Sequence, residues 1–222
     1  MPSLECQEIE VVYRVPTGDV DALVDVSATF EPGALSVVAG PSGSGKSTLL
    51  RVLAALERPT SGRVYLDDEE LTRATRRRRR ALRRRCLAYV GSHTRTALVP
   101  GSTVDEELRL VAAVRRARDW SSDADDRLGV IGLGGRRSER SVALSGGEQQ
   151  RAAVVAAVVG DPAVVLADEP TAALDSATAE LLVTELHGIA SRGATVIVAS
   201  HDPVVIDRAD HVVRLHEGRV VR

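Results

Sequence analysis

Lysine is all but missing from this chain of 222 residues: Lys46 is the only one, and every other cationic side chain is arginine. Aromatic residues make up only 2% of the sequence, and this scarcity, like the arginine excess, is a bias of composition that carries no functional reading by itself. Cysteine is nearly absent too. Cys6 and Cys86 lie far apart with no His or Cys pattern around them, which excludes a disulfide scaffold and a zinc site and fits a reducing compartment. No long apolar run occurs: the longest, Ala152 to Val159, is far short of the roughly 20 residues that span a bilayer, so any membrane role is expected to come through a partner. The start, Met1-Pro-Ser-Leu-Glu5, lacks the basic and apolar regions of a secretory signal. A net charge of −2 and a mean hydropathy of −0.04 argue for a soluble cytosolic protein and against a nucleic-acid binder defined by global basicity. The length suits one sizeable α/β domain.

The single lysine stands inside Gly40-Pro41-Ser42-Gly43-Ser44-Gly45-Lys46-Ser47-Thr48. This is G-x-x-x-x-G-K-[ST], preceded by the apolar run Leu35–Ala39 and followed by the helical run Ser47–Ala55, the strand–loop–helix setting of a phosphate-binding loop. Gly40, Gly43 and Gly45 let backbone N–H groups turn inward, the helix N-terminus adds partial positive charge, and Lys46 brings a compact ammonium to β- and γ-phosphates. A planar guanidinium does not replace that point charge. Ser47 offers a hydroxyl to magnesium. The plain alternative is a glycine-rich turn that binds nothing.

Short β-branched runs recur at 9–13, 35–39, 87–90, 163–167, 195–199 and 212–215, several followed by helical patterns, which predicts a largely parallel sheet. Val164–Ala167 and Val196–Ala199 are apolar throughout, as in central strands covered on both faces. Ligands of such sheets gather at the carboxyl ends of the strands, which sets Asp168, Glu169, Ser200 and His201 beside the loop. From about 92 to 150 the chain changes character, with helical segments at 104–118, 123–130 and 146–159 broken by Gly132, Gly134 and Gly135. Asp119–Asp126 reads as a solvated acidic linker.

Leu144-Ser145-Gly146-Gly147-Glu148-Gln149-Gln150-Arg151 resembles the signature of ATP-binding-cassette ATPases, and the resemblance runs over essentially the whole chain. It implies an α/β fold: a P-loop NTPase core with a mainly parallel sheet at 1–91 and 155–222, an N-terminal antiparallel β subdomain within it, and an inserted α-helical subdomain at 92–154. Val164–Thr171 is similar to the family's Walker B strand, which implies that Asp168 holds magnesium and Glu169 activates water. Two adjacent carboxylates at a strand end can also cap a helix. Ala173-Leu174-Asp175 resembles the D-loop, with Ala172 where Ser or Gly is more usual, a departure expected to weaken a contact across the dimer. Ser200-His201-Asp202 resembles the switch, whose His meets the γ-phosphate. Tyr13 is the expected adenine-stacking ring, against the plain reading of a strand tyrosine packed on its sheet.

The resemblance implies ATP and magnesium, a head-to-tail pair of chains in which Ser145, Gly146, Gly147 and Glu148 of one face the phosphate loop of the other, and a transmembrane permease as the driven partner. No specific nucleic acid is expected, and the membrane is reached only through the permease, at its cytoplasmic face. The type is most similar to lipoprotein-release and macrolide-export cassettes, including their cell-division cousins; the short C-terminus disfavours sugar importers, and other importer ATPases remain open. One departure stands out. The family has a glutamine shortly after a strand like Ala88-Tyr89-Val90, whereas this chain has Ser92, followed by His93 and Thr94, and its only glutamines are Gln7, Gln149 and Gln150. Ser92 can still hold magnesium through a water, so hydrolysis is expected to be slowed, or its coupling to the partner altered, while ATP binding survives; a weakly hydrolysing regulatory cassette is the alternative. The arginine runs 76–80 and 83–85 read first as a solvated helix face, with anionic lipid or incidental nucleic-acid contact as alternatives.

Overall fold

The structure is a computed structural model that describes residues 2–16, 18–92 and 98–221. Six strands form the central sheet in the order β10-β9-β3-β8-β7-β6. They are β3 (Leu35–Ala39), β6 (Leu87–Val90), β7 (Val164–Asp168), β8 (Thr195–Ser200), β9 (His211–His216) and β10 (Arg219–Val221). All pair in parallel except β10, which folds back on β9. Every residue of β3, β7 and β8 is buried, and alternate side chains enter two different cores. Val37, Val165, Val196 and Val198 face one; Val38, Leu166, Ile197 and Ala199 face the other.

The second core lies under a four-stranded sheet, β2-β1-β4-β5, built from β1 (Leu4–Val15), β2 (Gly18–Phe30), β4 (Ser61–Leu66) and β5 (Glu69–Glu70). Its pairings are antiparallel. Leu4, Ile9, Leu23, Val26 and Phe30 from this sheet close over Leu49, Leu50 and Leu53 of α1 (Lys46–Leu53), so α1 is sandwiched between the two sheets. The first core is filled from α3 (Val104–Arg115), α4 (Trp120–Val130), α5 (Gly146–Val158) and α6 (Ser176–Ser191). Helix α2 (Arg76–Arg85) precedes β6, and the single turn α7 (Pro203–Asp207) follows β8.

Two expectations from the sequence need correction. Asp119–Asp126 is not a linker: it becomes helix α4 from Trp120 onward, because Ala124, Arg127 and Leu128 form a buried face and the acids find arginines. Asp123 pairs with Arg127 at 2.6 Å and Asp125 with Arg137 at 2.9 Å. The helix expected to run to Arg118 ends at Arg115, since Arg116 turns to φ 59°, the left-handed conformation that stops helices. Helix α3 begins in a capping box in which Thr103 and Glu106 satisfy each other's backbone N–H.

Arg127 ties α4 to the rest of the molecule. It is 4% exposed and reaches Asp123, Glu185 of α6 at 2.8 Å and Asp161 at 3.2 Å. Burial opposes its charge, but the carboxylates of Asp123 and Glu185 more than offset that and hold it cationic. Truncating Arg127 to Ala leaves the buried Glu185 carboxylate without this partner and is expected to cost about 3–5 kcal/mol in urea unfolding. The joint replacement Arg127→Met with Glu185→Leu, which removes both charges, is expected to cost far less. Equal losses in the two variants would contradict this reading.

Candidate nucleotide site

The parallel order sets three strand ends side by side, and the chain leaves each with a different chemical group. After β3 comes the glycine loop and then α1. Gly40 has φ 159°, within reach of extended backbone, yet a side chain there would meet Leu215 O at 2.2 Å and Ser44 Oγ at 2.6 Å. Gly45 (φ 99°), like Gly43 (φ 81°), is left-handed, and a Cβ on Gly45 would run into Ala22 O at 2.5 Å. The loop is thus held from behind by β2 and by the β9–β10 hairpin. Val24 N donates to Gly218 O at 2.8 Å and Gly218 N to Ser44 O at 3.1 Å, which joins all three.

Lys46 is 6% exposed. Its Nζ donates to Gly40 O at 2.8 Å and Pro41 O at 3.0 Å and lies 3.4 Å from Glu169 Oε1. The first helical bond is Leu49 N to Gly45 O at 2.9 Å, so the amides of Lys46, Ser47 and Thr48 precede the intrahelical ladder and stay open to an anion. Ser44 Oγ is buried with no hydrogen-bond partner among the described residues, and a Cβ on Gly43 would meet open space. An orphaned hydroxyl beside a glycine cradle fits a ligand that brings acceptor oxygens, as phosphates do. Ser42 is exposed at the lip.

Strand β7 ends at Asp168, whose Oδ1 accepts from Ser47 Oγ at 2.9 Å. These two hard oxygens fit magnesium, which takes most of its remaining ligands from water and phosphate. No group of three or more His, Cys, Asp or Glu suited to a metal occurs among the described residues, so a site composed wholly of protein ligands is not what this donor set offers. Glu169 follows at φ 48°, a left-handed backbone uncommon for this residue type, fixed by its N–H donating to Ala199 O at 2.9 Å. Its carboxylate oxygens stand 2.9 and 3.0 Å from Nδ1 of His201. His201 leaves β8 and is 64% exposed, free to turn toward a ligand.

The placement of His201 depends on a bond between two motif residues, Asp202 and Thr171, to which the sequence pattern assigned no role. Asp202 caps α7 by accepting from Val204 N at 3.0 Å, and its other oxygen accepts from buried Thr171 Oγ1 at 2.8 Å, so the segment after Glu169 is bound to the segment after His201. The Asp202-Pro203 pair is a legible helix start, whereas Thr171, read only as the end of the Val164–Thr171 segment, carried no signal for this bond. Tyr13 of β1 brings its hydroxyl to 3.5 Å from Thr48 Oγ1 and is partly buried beside the loop.

The signature and D-loop residues sit on helix starts. Ser145 caps α5: its Oγ accepts from Glu148 N at 3.3 Å while Glu148 Oε2 accepts from Ser145 N at 2.8 Å. That backbone N–H draws the Glu148 carboxyl below its ordinary range. The box leaves the Gly146 and Gly147 amides ahead of the first helical bond, Gln149 N to Ser145 O. A Cβ on Gly147 would press on Leu174 at 2.8 Å, which seats the signature against the D-loop of the same chain. Asp175 caps α6 through Thr178 N at 2.9 Å, and that bond lowers its pKa. Ser92 is half-buried; β6 pairs beside β7 with Val90 opposite Ala167, so the chain emerges toward Ser92 next to the Asp168 strand end. His93 and Thr94 lie outside the described residues.

A glycine loop at a helix N-terminus, a strand-end carboxylate pair and a second exposed N-terminal amide pair make this a phosphate-loop nucleotide-binding cassette. The ABC transporter family matches residues 23–172, and the chain belongs to it. It is 36% identical over 98% of its length to an uncharacterized ABC transporter ATP-binding protein of Thermotoga maritima, of which it covers 93%. It is 34% identical over 99% of its length to the macrolide export ATP-binding/permease protein MacB of Hyphomonas neptunium, but spans only 34% of that longer chain. Among solved structures it is similar to the dimeric bacterial ABC transporter cassette MJ0796, with a TM-score of 0.88, 30% identity and 99% and 97% of the two chains covered. The same cassette bound to ADP and Pi in a post-hydrolysis state gives 0.89 at 29% identity, with the same coverage. Among the described residues no helix is long and apolar enough to cross a membrane.

Burial pushes the Asp168 carboxyl above its ordinary range; Ser47 and Lys46 pull it back, and Glu169 adds to the rise. The folded chain therefore keeps a proton that the unfolded chain releases, so this group makes stability fall as pH rises from the unfolded carboxylate value through the folded one. Asp168→Asn keeps an acceptor for Ser47 and removes the charge. Without nucleotide it is expected to unfold at higher urea than the parent at about pH 7, the gap closing toward about pH 4. A gap of opposite sign, or one independent of pH, contradicts the assignment.

Proposed function

We propose that this chain binds and hydrolyses ATP as the motor subunit of a membrane transporter of export or mechanotransmission type, two copies or two paired cassettes closing on nucleotide to drive a permease at the cytoplasmic face. The single observation that carries the reading is the convergence of Lys46, Ser47, Asp168, Glu169 and His201 from three strand ends onto one cradle. In this reading Lys46 and the amides of Lys46, Ser47 and Thr48 hold the phosphates, with Gly40 to Gly45 shaping the loop and Tyr13 offering its ring to the adenine. Ser47 and Asp168 would hold magnesium, with Ser92 reaching it through a water, and the ion when bound would supply charge that offsets the phosphates. Glu169 takes the proton of the water that attacks the γ-phosphorus, the bond to the β-phosphate oxygen breaks, and ADP leaves. His201, hydrogen-bonded to Glu169, orients that carboxylate and meets the γ-phosphate. Ser145 and the Gly146 and Gly147 amides, open in the single chain, serve the nucleotide of a second copy, with Asp175 at the seam.

The similarity to MacB supports export over import, while the absent glutamine supports a second reading, a cassette that clamps on ATP and turns it over weakly. Motor and clamp are distinguished by steady-state ATP hydrolysis over a range of chain concentrations. The motor reading expects turnover per chain that rises with concentration and falls by at least about 100-fold in Glu169→Gln, the scale of losing a general base. ATP binding without turnover, with turnover appearing in Ser92→Gln, would select the clamp.

A further inference from the structure

Helix α2 carries eight arginines in ten residues within a chain whose net charge is −2, so one face of the molecule is strongly basic. Two features make this helix costly in isolation. Its first turn holds no acidic side chain and begins with Arg76, Arg77 and Arg78, the wrong sign for the positive end of the helix dipole. Arg76, Arg80 and Arg84 then follow at i,i+4, a like-charge spacing that destabilises helices.

The inner half of α2 resolves its charges within the chain. Arg78 forks onto Glu69, with Nε and Nη2 each 2.6 Å from a carboxylate oxygen. Arg83 donates to Ala55 O at 2.6 Å, Leu82 is buried, and Arg85 lines a cleft with Asp67 and Asp68. The outer half resolves nothing. At about 100° per residue, Arg76, Arg80, Arg84 and Arg77 fall in one arc of about 100°. All four are exposed, and Arg78–Glu69 is the only salt bridge that α2 makes among the described residues. Arg79, on the flank, has its pKa lowered by burial and by the neighbouring charges of Arg58, Arg83 and Arg76.

Beside the arc, Arg83 and Arg84 line a groove of about 490 Å³ whose far wall on α3 exposes Leu110 and Val114. A basic arc next to exposed aliphatic side chains suits the headgroup and acyl boundary of a bilayer. Neither the arc nor Leu110 and Val114 brings an aromatic ring or side-chain amide for reading bases, and Tyr89, which also lines the groove, is partly buried against the core, which disfavours a nucleic acid. We infer that Arg76, Arg77, Arg80 and Arg84 form a docking surface for the phosphate headgroups of an anionic lipid bilayer, so that the chain touches the membrane directly and not only through a permease. This does not depend on ATP turnover.

The test is sedimentation of the full chain with vesicles of phosphatidylcholine alone or with about a third phosphatidylglycerol, at low and high salt. The chain is expected to sediment with the anionic vesicles only, and to release as salt rises. Replacing all four arginines with Gln should lower apparent vesicle affinity at least about tenfold, while replacing all four with Lys, which keeps the charge, should retain it. The proposal is overturned if neutral and anionic vesicles bind alike, if the Gln variant binds like the parent, if the Lys variant loses binding equally, or if the chain ignores vesicles and binds random-sequence RNA through these residues.

Discussion

The contact between one buried ammonium and one strand-end carboxylate organises this molecule. Lys46 Nζ rests on two carbonyls of its own loop and lies 3.4 Å from Glu169, a residue more than a hundred positions away in sequence. That distance is possible only because β3, β8 and β7 are neighbours in one parallel sheet, so that their ends deliver loop, His201 and carboxylates to the same edge. A buried cation needs compensation, and here the compensation comes from groups a phosphate can displace. The fold supplies rigidity on the other side of the loop. Leu215 lies so close to Gly40, and Ala22 and Leu23 so close to Gly45, that neither position has room for a side chain.

Much of this was legible in the sequence, for identifiable reasons. The glycine loop, the apolar strands Val164–Ala167 and Val196–Ala199, and the polar residues that end them carry their meaning in local order, and the structure brings them together. What stayed hidden was mostly pairing at a distance. A helix was legible at 123–130, but its first turns were hidden: Asp119–Asp126 looked like solvated acid because the pairing of Asp125 with Arg137 and the burial of Ala124 and Leu128 appear only in the fold. Thr171 carried no signal for its bond to Asp202, nor did Gly147 for its packing on Leu174. The roles of Tyr13, Ser92 and Ser145 toward a nucleotide are a different matter, since they concern groups brought by a ligand or a second chain.

Besides their shared apolar core, two of the polar ties that attach the helices between β6 and β7 differ in chemistry. Arg127 of α4 joins a buried ionic cluster with Glu185 of α6, whereas α5 reaches the end of β6 through Gln150, fully buried, whose Nε2 lies 3.4 Å from Gly91 O. The first is a strong, desolvated link; the second is a weak one, one residue before Ser92.

Across the chain, arginine serves every cationic role that a forked, planar donor can fill, from the Glu69 pair to the Arg127 cluster, and Lys46 alone is a point charge. The most direct measurement is equilibrium binding of a fluorescent ATP analogue to the parent and to Lys46→Arg, which keeps the charge but changes its shape. If the cradle is built for a compact ammonium, the variant remains folded and binds at least about tenfold more weakly, the scale of one lost charge-assisted hydrogen bond or more. Binding equal to the parent would contradict the phosphate cradle as the organising feature of this fold.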